Sequence, residues 1–209
     1  MTKRAFDIFF SLILIFVLIP LFIFTALLIK LTSKGPVFYK AKRVKKNFKL
    51  FTCYKFRTMY KDADLRLFSL LKADPKLLAE WQTYEKLKKD PRITPIGSFL
   101  RKSSIDELPQ LWNVLKGDMS IVGPRPYAMI GKGTLKKEDL INLYGKEMET
   151  ILKLKPGLTG LWQVSGRNEL PVEKRVELDL IYSQNQSLRY DLIILAKTVP
   201  KILTAKGAY

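Results

Sequence analysis

The chain has 209 residues, and its 37 Lys and Arg against 19 Asp and Glu leave a formal charge of +18. That balance points to an anionic partner: nucleic acid, an anionic membrane surface or a phosphorylated substrate. The absence of His excludes a histidine triad and the usual zinc sites, and the single Cys, Cys53, excludes an intramolecular disulfide and suits a reducing compartment.

Residues 8–29 form an uncharged apolar run of about 22 residues, long enough to cross a bilayer as a helix. The run is too long for a cleaved leader, and no small-residue cleavage site follows it. Pro20 lies in its middle and should kink the helix. Basic residues flank both ends: Lys3 and Arg4 before, then Lys30, Lys34, Lys40, Lys42 and Arg43 after. A straight span has a Lys/Arg asymmetry, whereas here both ends favour the cytoplasmic side. A broken helix that enters and leaves by one leaflet meets both facts; an ordinary anchor with a tolerated proline is the alternative.

After the turn at Gly35-Pro36, residues 37–44 read as a short strand and residues 48–59 as a second one. Lys55 and Arg57 then share one face. Both are candidates for substrate phosphates or for pairing with Glu107; a solvated face explains them equally well. Residues 61–89 predict two helices separated near Asp74-Pro75, with apolar residues at helical spacing and no evident chemistry.

Residues 90–126, DPRITPIGSFLRKSSIDELPQLWNVLKGDMSIVGPRP, place the adjacent acids Asp106 and Glu107 between Arg92, Arg101 and Lys102 on one side and Lys116 and Arg125 on the other. Asp106 is suited to begin a helix over residues 106–116, with Pro109 in its first turn and Gly117 after its end. The electropositive end of such a helix would lie beside Asp106 and hold phosphate well. Ser104 and Glu107 also fit a capping box, and Asp106 a plain N-cap. Neighbouring helical residues point about 100° apart, so two working acids would do different jobs.

Residues 127–155 contain glycine turns at Gly131 and Gly133, then a helix predicted over 137–152. Residues 155–168, KPGLTGLWQVSGRN, carry three glycines and Arg167 in a loop-rich segment that could pass close to a ligand. Residues 171–185 predict a helix. Residues 188–207 offer a broad apolar face broken by Lys197 and Lys201, which suits an interfacial helix or a buried one.

Five blocks occur in order: Lys3-Arg4-Ala-Phe-Asp7 before the apolar run, SKGPVFYKAKRV (33–44), YKFRTM (54–59), SSIDELPQLWNVLKGDMSIVGPRP (103–126) and KPGLTGLWQVSGRN (155–168). Together they resemble the bacterial sugar transferase family, the monotopic phosphoglycosyl transferases that initiate glycoconjugate assembly, over nearly the whole chain. Two positions depart from that pattern. Relatives often have Ser before the proline where this chain has Ile19, so Ser11 or Thr25 would have to relieve the break at Pro20. Relatives also usually carry Gly where this chain has Lys45, which would add a charge facing membrane or phosphate.

The resemblance implies a mainly helical α+β protein. A re-entrant membrane helix (residues 1–32) would precede a small cytoplasmic catalytic domain (33–209) with short strands and interfacial amphipathic helices. It would lie at the bacterial inner (cytoplasmic) membrane with the catalytic domain on the cytoplasmic face. The family activity is transfer of a sugar 1-phosphate from a nucleoside diphosphate sugar, expected to be a UDP-sugar, to polyprenol (undecaprenyl) phosphate. It passes through an aspartyl-phosphosugar and releases UMP.

Carried over by residue, Asp106 is the nucleophile and a ligand of Mg²⁺, and Glu107 orients the metal or handles a proton. Arg101 and Arg125, with Lys55, Arg57 and Arg167, would bind substrate phosphates. Asp179 matches an acidic family position. The motifs leave open which sugar is moved, which glycan is built and whether the chain self-associates. The rival is a membrane-anchored basic protein that binds anionic lipid or nucleic acid without catalysis. Carboxylates set inside the basic cluster speak against nucleic acid, because a phosphate-backbone binder gains nothing from them.

Overall fold

The apolar run forms most of one helix, α1 (Lys3–Thr32), in which Pro20 is included without interruption. This computed structural model of the protein describes residues 2–85, 87–128 and 137–204. No residue between 12 and 24 of α1 is buried, and Leu12, Phe16, Val17, Ile23 and Phe24 lie open. Its buried positions are Asp7 and Ser11 near one end and Thr25 and Ile29 near the other.

Both ends of α1 are fastened to the same body. At the start, Arg4 donates from Nη1 to Val114 O (2.6 Å) and from Nη2 to Leu115 O (2.7 Å). Asp7 accepts from Ser120 Oγ (2.8 Å) and Ile121 N (3.0 Å), while Lys3 pairs with the buried Asp191. Beyond the helix end, Arg57 donates to the carbonyls of Ser33, Lys34 and Pro36 at 2.9, 2.7 and 2.6 Å. Ser11 does not relieve the chain at Pro20: its Oγ is buried and finds no hydrogen-bond partner among the described residues.

β1 (Phe38–Lys45) and β2 (Lys49–Phe56) form an antiparallel hairpin in the register Phe38↔Phe56 to Lys45↔Lys49. Asn47 and Phe48 turn it with positive φ values of 59° and 56°. Lys45 Nζ lies 2.5 Å from Asp118, so its charge is paired within the protein. α2 (Ala63–Ala73) and α3 (Pro75–Tyr84) divide at Asp74, whose side chain caps α3 by accepting from Lys76 N at 2.8 Å. α4 (Pro95–Lys102) starts with Thr94 as its cap and Pro95 in its first turn.

α5 (Gln110–Lys116) begins four residues later than the spacing predicts, after a 3₁₀ turn over residues 105–107, and ends at Gly117 with φ 84°. Asn113 on α5 completes the free edge of β2 like a peptide group. Its Oδ1 accepts from Tyr54 N (3.0 Å) and its Nδ2 donates to Thr52 O (2.7 Å). β3 (Ser120–Val122) pairs in parallel with β4 (Gly157–Thr159).

The helix expected over 137–152 is two, α6 (Lys137–Tyr144) and α7 (Met148–Ile151), because Gly145 breaks it at φ 91°. Gly131 and Gly133 lie outside the described residues. α8 (Leu161–Ser165), α9 (Val172–Gln184) and α10 (Leu188–Thr204) complete the described residues. The architecture is therefore mainly helical α+β, with an apolar N-terminal helix and two small sheets.

Three clusters hold it together. One joins β1, β2, α5, β3, α9 and α10 and takes Phe10, Leu14 and Ile15 from the first half of α1. A second gathers α6, α7 and Val176 of α9 around Tyr127. The third packs Phe56, Leu100, Ile96 and Ile105 against Ile29 and Phe22 from the second half of α1. α10 is buried on one face and open on the other: Asp191 and Ile194 are buried, while Leu192, Ile193, Val199, Ile202 and Leu203 stay exposed.

Candidate active site

The chain reaches Asp106 through a left-handed residue. α4 ends in Arg101 and Lys102, Ser104 follows with φ 59°, and the backbone then tightens into the 3₁₀ turn of Ile105, Asp106 and Glu107. Ser104 in this conformation makes no cap, so the capping box suggested by spacing does not form. Asp106 therefore precedes α5 instead of opening it. The two acids differ in their surroundings. Asp106 is only 8 % exposed, whereas Glu107 reaches out to Lys55 Nζ at 2.6 Å.

Three cations surround these acids, each from a different part of the chain. Burial alone would depress the pKa of Lys55 on β2, but Glu107 and then Asp106 outweigh it and hold the ammonium above its ordinary value. Burial lowers the Arg101 guanidinium from its ordinary value, against the opposing pull of Asp106. Arg101 Nε also donates to Thr58 Oγ1 at 3.0 Å, which fixes its stem. Arg167, after α8, shows the same balance between burial and the two acids; its Nη2 donates to Ser104 Oγ. Arg167 thus touches the left-handed residue that aims Asp106.

Arg57 and Arg125 are engaged differently. Arg57 spends three donors on the segment leaving α1, so in this structure it fastens that segment to the end of β2. Arg125 lies 3.5 Å from Glu85 and stacks over the Trp162 ring at 5.2 Å. Its backbone N–H donates to Asp179, which also accepts from Tyr127 Oη.

Asp179 is fully buried, and burial pushes its pKa up to about 7 despite these donors and the nearby Arg125 and Arg175 charges. The unfolded chain then loses its proton near pH 4 and the folded one only near 7, so stability contributed here falls as pH rises through that window. Asp179→Asn should flatten the decline of melting temperature between pH 4 and 7; an unchanged slope contradicts the assignment.

Cys53 is no competing nucleophile, since burial pushes its thiol up to about 11. Among the described residues no three His, Cys, Asp or Glu side chains converge on a metal site. The donor set at Asp106 and Glu107 suits a Mg²⁺ held by one or two carboxylates together with substrate phosphates.

Sequence reasoning missed Thr58 and Ser104, whose hydroxyls orient Arg101 and Arg167, and Glu85, which holds Arg125 from a segment with no evident chemistry. No local signal marks these hydroxyls. The glycine-rich segment 155–168 could pass close to a ligand, but Gly157 and Gly160 make room for backbone. A Cβ at Gly157 would meet Gly123 N at 2.1 Å, and one at Gly160 would meet Gly123 O at 2.2 Å.

The description "Bacterial sugar transferase" belongs to a family model that matches residues 1–205. An exopolysaccharide production protein, ExoY, of Sinorhizobium fredii is 44% identical over 208 residues, covering 100% of this chain and 88% of its own. An undecaprenyl-phosphate galactose phosphotransferase of Salmonella typhimurium is 47% identical over 208 residues, 99% of this chain and 41% of that protein. A UDP-galactose-lipid carrier transferase of Erwinia amylovora is 42% identical over 207 residues, with 99% and 41% covered.

Proposed function

This chain belongs to the bacterial sugar transferase family, and from that premise we propose that it moves a sugar 1-phosphate from a UDP-sugar to polyprenol phosphate at a membrane surface. The observation that carries the reading is the setting of Asp106. It is a buried carboxylate whose charge acts on Lys55, Arg101 and Arg167, and it follows Ile105, which packs against the cluster of Phe56 and Leu100 that takes in Ile29 of α1. The acid is thereby tied to the apolar helix at short range, where a lipid-borne acceptor has to be met.

In the first step the Asp106 carboxylate attacks the phosphorus that bears the sugar. A bond forms between its oxygen and phosphorus, the bond to the bridging oxygen breaks, and UMP leaves. In the second step an oxygen of the acceptor phosphate attacks the same phosphorus and expels the carboxylate, giving a polyprenyl diphosphate-linked sugar. Splitting one transfer into two is the recognised advantage of a carboxylate nucleophile. Arg101 and Arg167 neutralise charge on the phosphoryl group, with Arg125 and the more committed Arg57 as further candidates. Asp106, with Glu107 beside it, would hold Mg²⁺, which when bound offsets the negative charge of the donor diphosphate.

Residues 1–32 serve as the anchor and residues 33–209 as the transferase domain on the cytoplasmic face. A 30-residue helix is about 45 Å long, longer than the roughly 30 Å hydrocarbon core. A straight span would carry one end away from the domain, whereas both ends of α1 are fastened to it. That arrangement supports a helix dipping into one leaflet by its exposed middle. Cysteines at Thr2 and Lys34 should then react with an impermeant maleimide from the same side of sealed vesicles, while buried Cys53 stays silent. Labelling from opposite sides would contradict the re-entrant path.

The test of the activity is UMP release from a panel of UDP-sugars in vesicles containing undecaprenyl phosphate. UDP-galactose leads the panel, because two relatives bear names that specify galactose. UMP should appear in step with lipid-linked sugar diphosphate. A protein that binds these vesicles but releases no UMP from any donor would be the anchored basic binder instead.

A further inference from the structure

On the side of α4 opposite α1 lies a cleft of about 430 Å³ that shares only Arg101 with the groups given a role in the reaction above. Ile96 and Leu100 turn one face of α4 toward Phe22 and Ile29 of α1. The opposite face presents Ser98, Arg101 and Lys102 to the cleft, whose far walls include Tyr60, Lys88 and Lys89. Its lining carboxylate, Asp90, is committed to the buried Arg92, which grips it at 2.8 and 2.6 Å. Among the described residues none of Lys88, Lys89 and Lys102 pairs with a carboxylate. The cleft therefore collects four cations around a space with one neutralised acid.

Two features say what kind of anion it suits. Arg101 belongs both to this cleft and to the surroundings of Asp106, which lies four residues after the end of the same helix at Lys102. An anion held there lies beside the reacting carboxylate without displacing the Lys55–Glu107 pair. Large apolar side chains also stand open nearby: Phe99 on α4, then Leu65 and Phe68 on α2, whose first turn brings Arg66 over the Tyr60 ring at 5.1 Å. A soluble sugar nucleotide gains nothing from such a border. A phosphate monoester on an isoprenoid tail needs both parts, cations for its head and apolar surface for its first isoprene units.

We infer that this cleft is the acceptor site, holding the phosphate of a polyprenyl phosphate between Lys88, Lys89, Lys102 and Arg101 while its tail leaves past Phe99 toward α1. This rests on the transferase reading above. The bound head supplies the oxygen that forms the new bond to the sugar-bearing phosphorus as the bond to Asp106 breaks, and Arg101 stands between the two phosphates at that moment. Lys88 and Lys89 are exposed, so reversing their charge leaves the core intact.

In the Lys88→Glu/Lys89→Glu double variant the KM for undecaprenyl phosphate should rise about tenfold or more, with the UDP-sugar KM unchanged and melting temperature retained. Direct binding of geranylgeranyl phosphate in neutral detergent micelles should weaken by a similar factor, and binding of geranylgeraniol should not. A rise in donor KM alone would assign the cleft to the nucleotide sugar and overturn the proposal. So would an unchanged acceptor KM. If the variant differs from wild type only on phosphatidylglycerol vesicles and matches it in neutral micelles, the lysines serve general surface attraction and the acceptor site fails. The binding arm needs no turnover, so an inactive wild-type protein would sink the transferase reading while the micelle titration still decides the cleft.

Discussion

Asp106→Asn is expected to reduce sugar-phosphate transfer by about 10³-fold or more while the protein stays membrane-bound. The amide has the shape of the carboxylate but no anionic oxygen, so it cannot form the bond to phosphorus. Its neighbours should persist, because Glu107 remains on Lys55 and Arg101 remains on Thr58. The exposed apolar surfaces of α1 and α10, which would carry membrane attachment, do not involve residue 106. Cys53 cannot substitute, being buried with its thiol held near 11. Glu107→Gln should cost less, since that side chain pairs with Lys55 and does not attack. Normal turnover in Asp106→Asn, measured as UMP release, would remove the nucleophile from the account.

The second large effect is expected far from any charge. Gly97→Ala would put a Cβ 2.0 Å from Thr58 O and 2.7 Å from Thr58 C. Both are backbone atoms, so no side chain can swing aside. The contact is where α4 lies on the chain leaving β2, and it is stitched by Thr94 N donating to Thr58 O at 3.0 Å. Overpacking costs about 1–3 kcal/mol, and a backbone clash belongs at or above the upper end. At about 2–4 °C per kcal/mol for a chain of this size, the melting temperature should fall by roughly 6–12 °C. Transfer should fall with it, because α4 carries Arg101 and leads into Ser104 and Asp106. A variant that melts like wild type would mean the approach of α4 to Thr58 is looser than described.

Much of the fold was readable where the deciding physics is local. Asp74-Pro75 separates α2 from α3 because an acceptor side chain and a proline suit a helix start wherever they occur. Gly117 stops α5 because only a left-handed residue can finish it there. The hairpin over residues 38–56 shows in its β-branched and aromatic content. What escaped was set by distant partners. Ser104 is left-handed although it is no glycine, and its hydroxyl is gripped by Arg167, 63 residues away. That single residue moves Asp106 out of a helix start and into a 3₁₀ turn. The capping pattern at 104–107 is thus genuine in composition and overruled by tertiary contact.

The candidate site divides along the same line. Asp106, Glu107 and Arg101 are neighbours in the chain and could be grouped by inspection. Lys55 and Arg167 join them only through β2 and the turn after α8. Alternation within β2 put Lys55 and Arg57 on one face, but the strand ends at Phe56 and Arg57 turns instead to three carbonyls behind α1. Lys3, Arg4 and Asp7 gave no hint from spacing that they would grip α5, β3 and α10. Those contacts bind the apolar helix to the domain.

The account is tested most directly by incubating the protein, without acceptor lipid, with a UDP-sugar labelled in the phosphate next to the sugar, then mapping the adduct by mass spectrometry. A sugar phosphate on the peptide bearing Asp106, discharged when undecaprenyl phosphate is added, is the predicted result. No adduct in protein that transfers label normally once acceptor is present, or an adduct on another side chain, would contradict it.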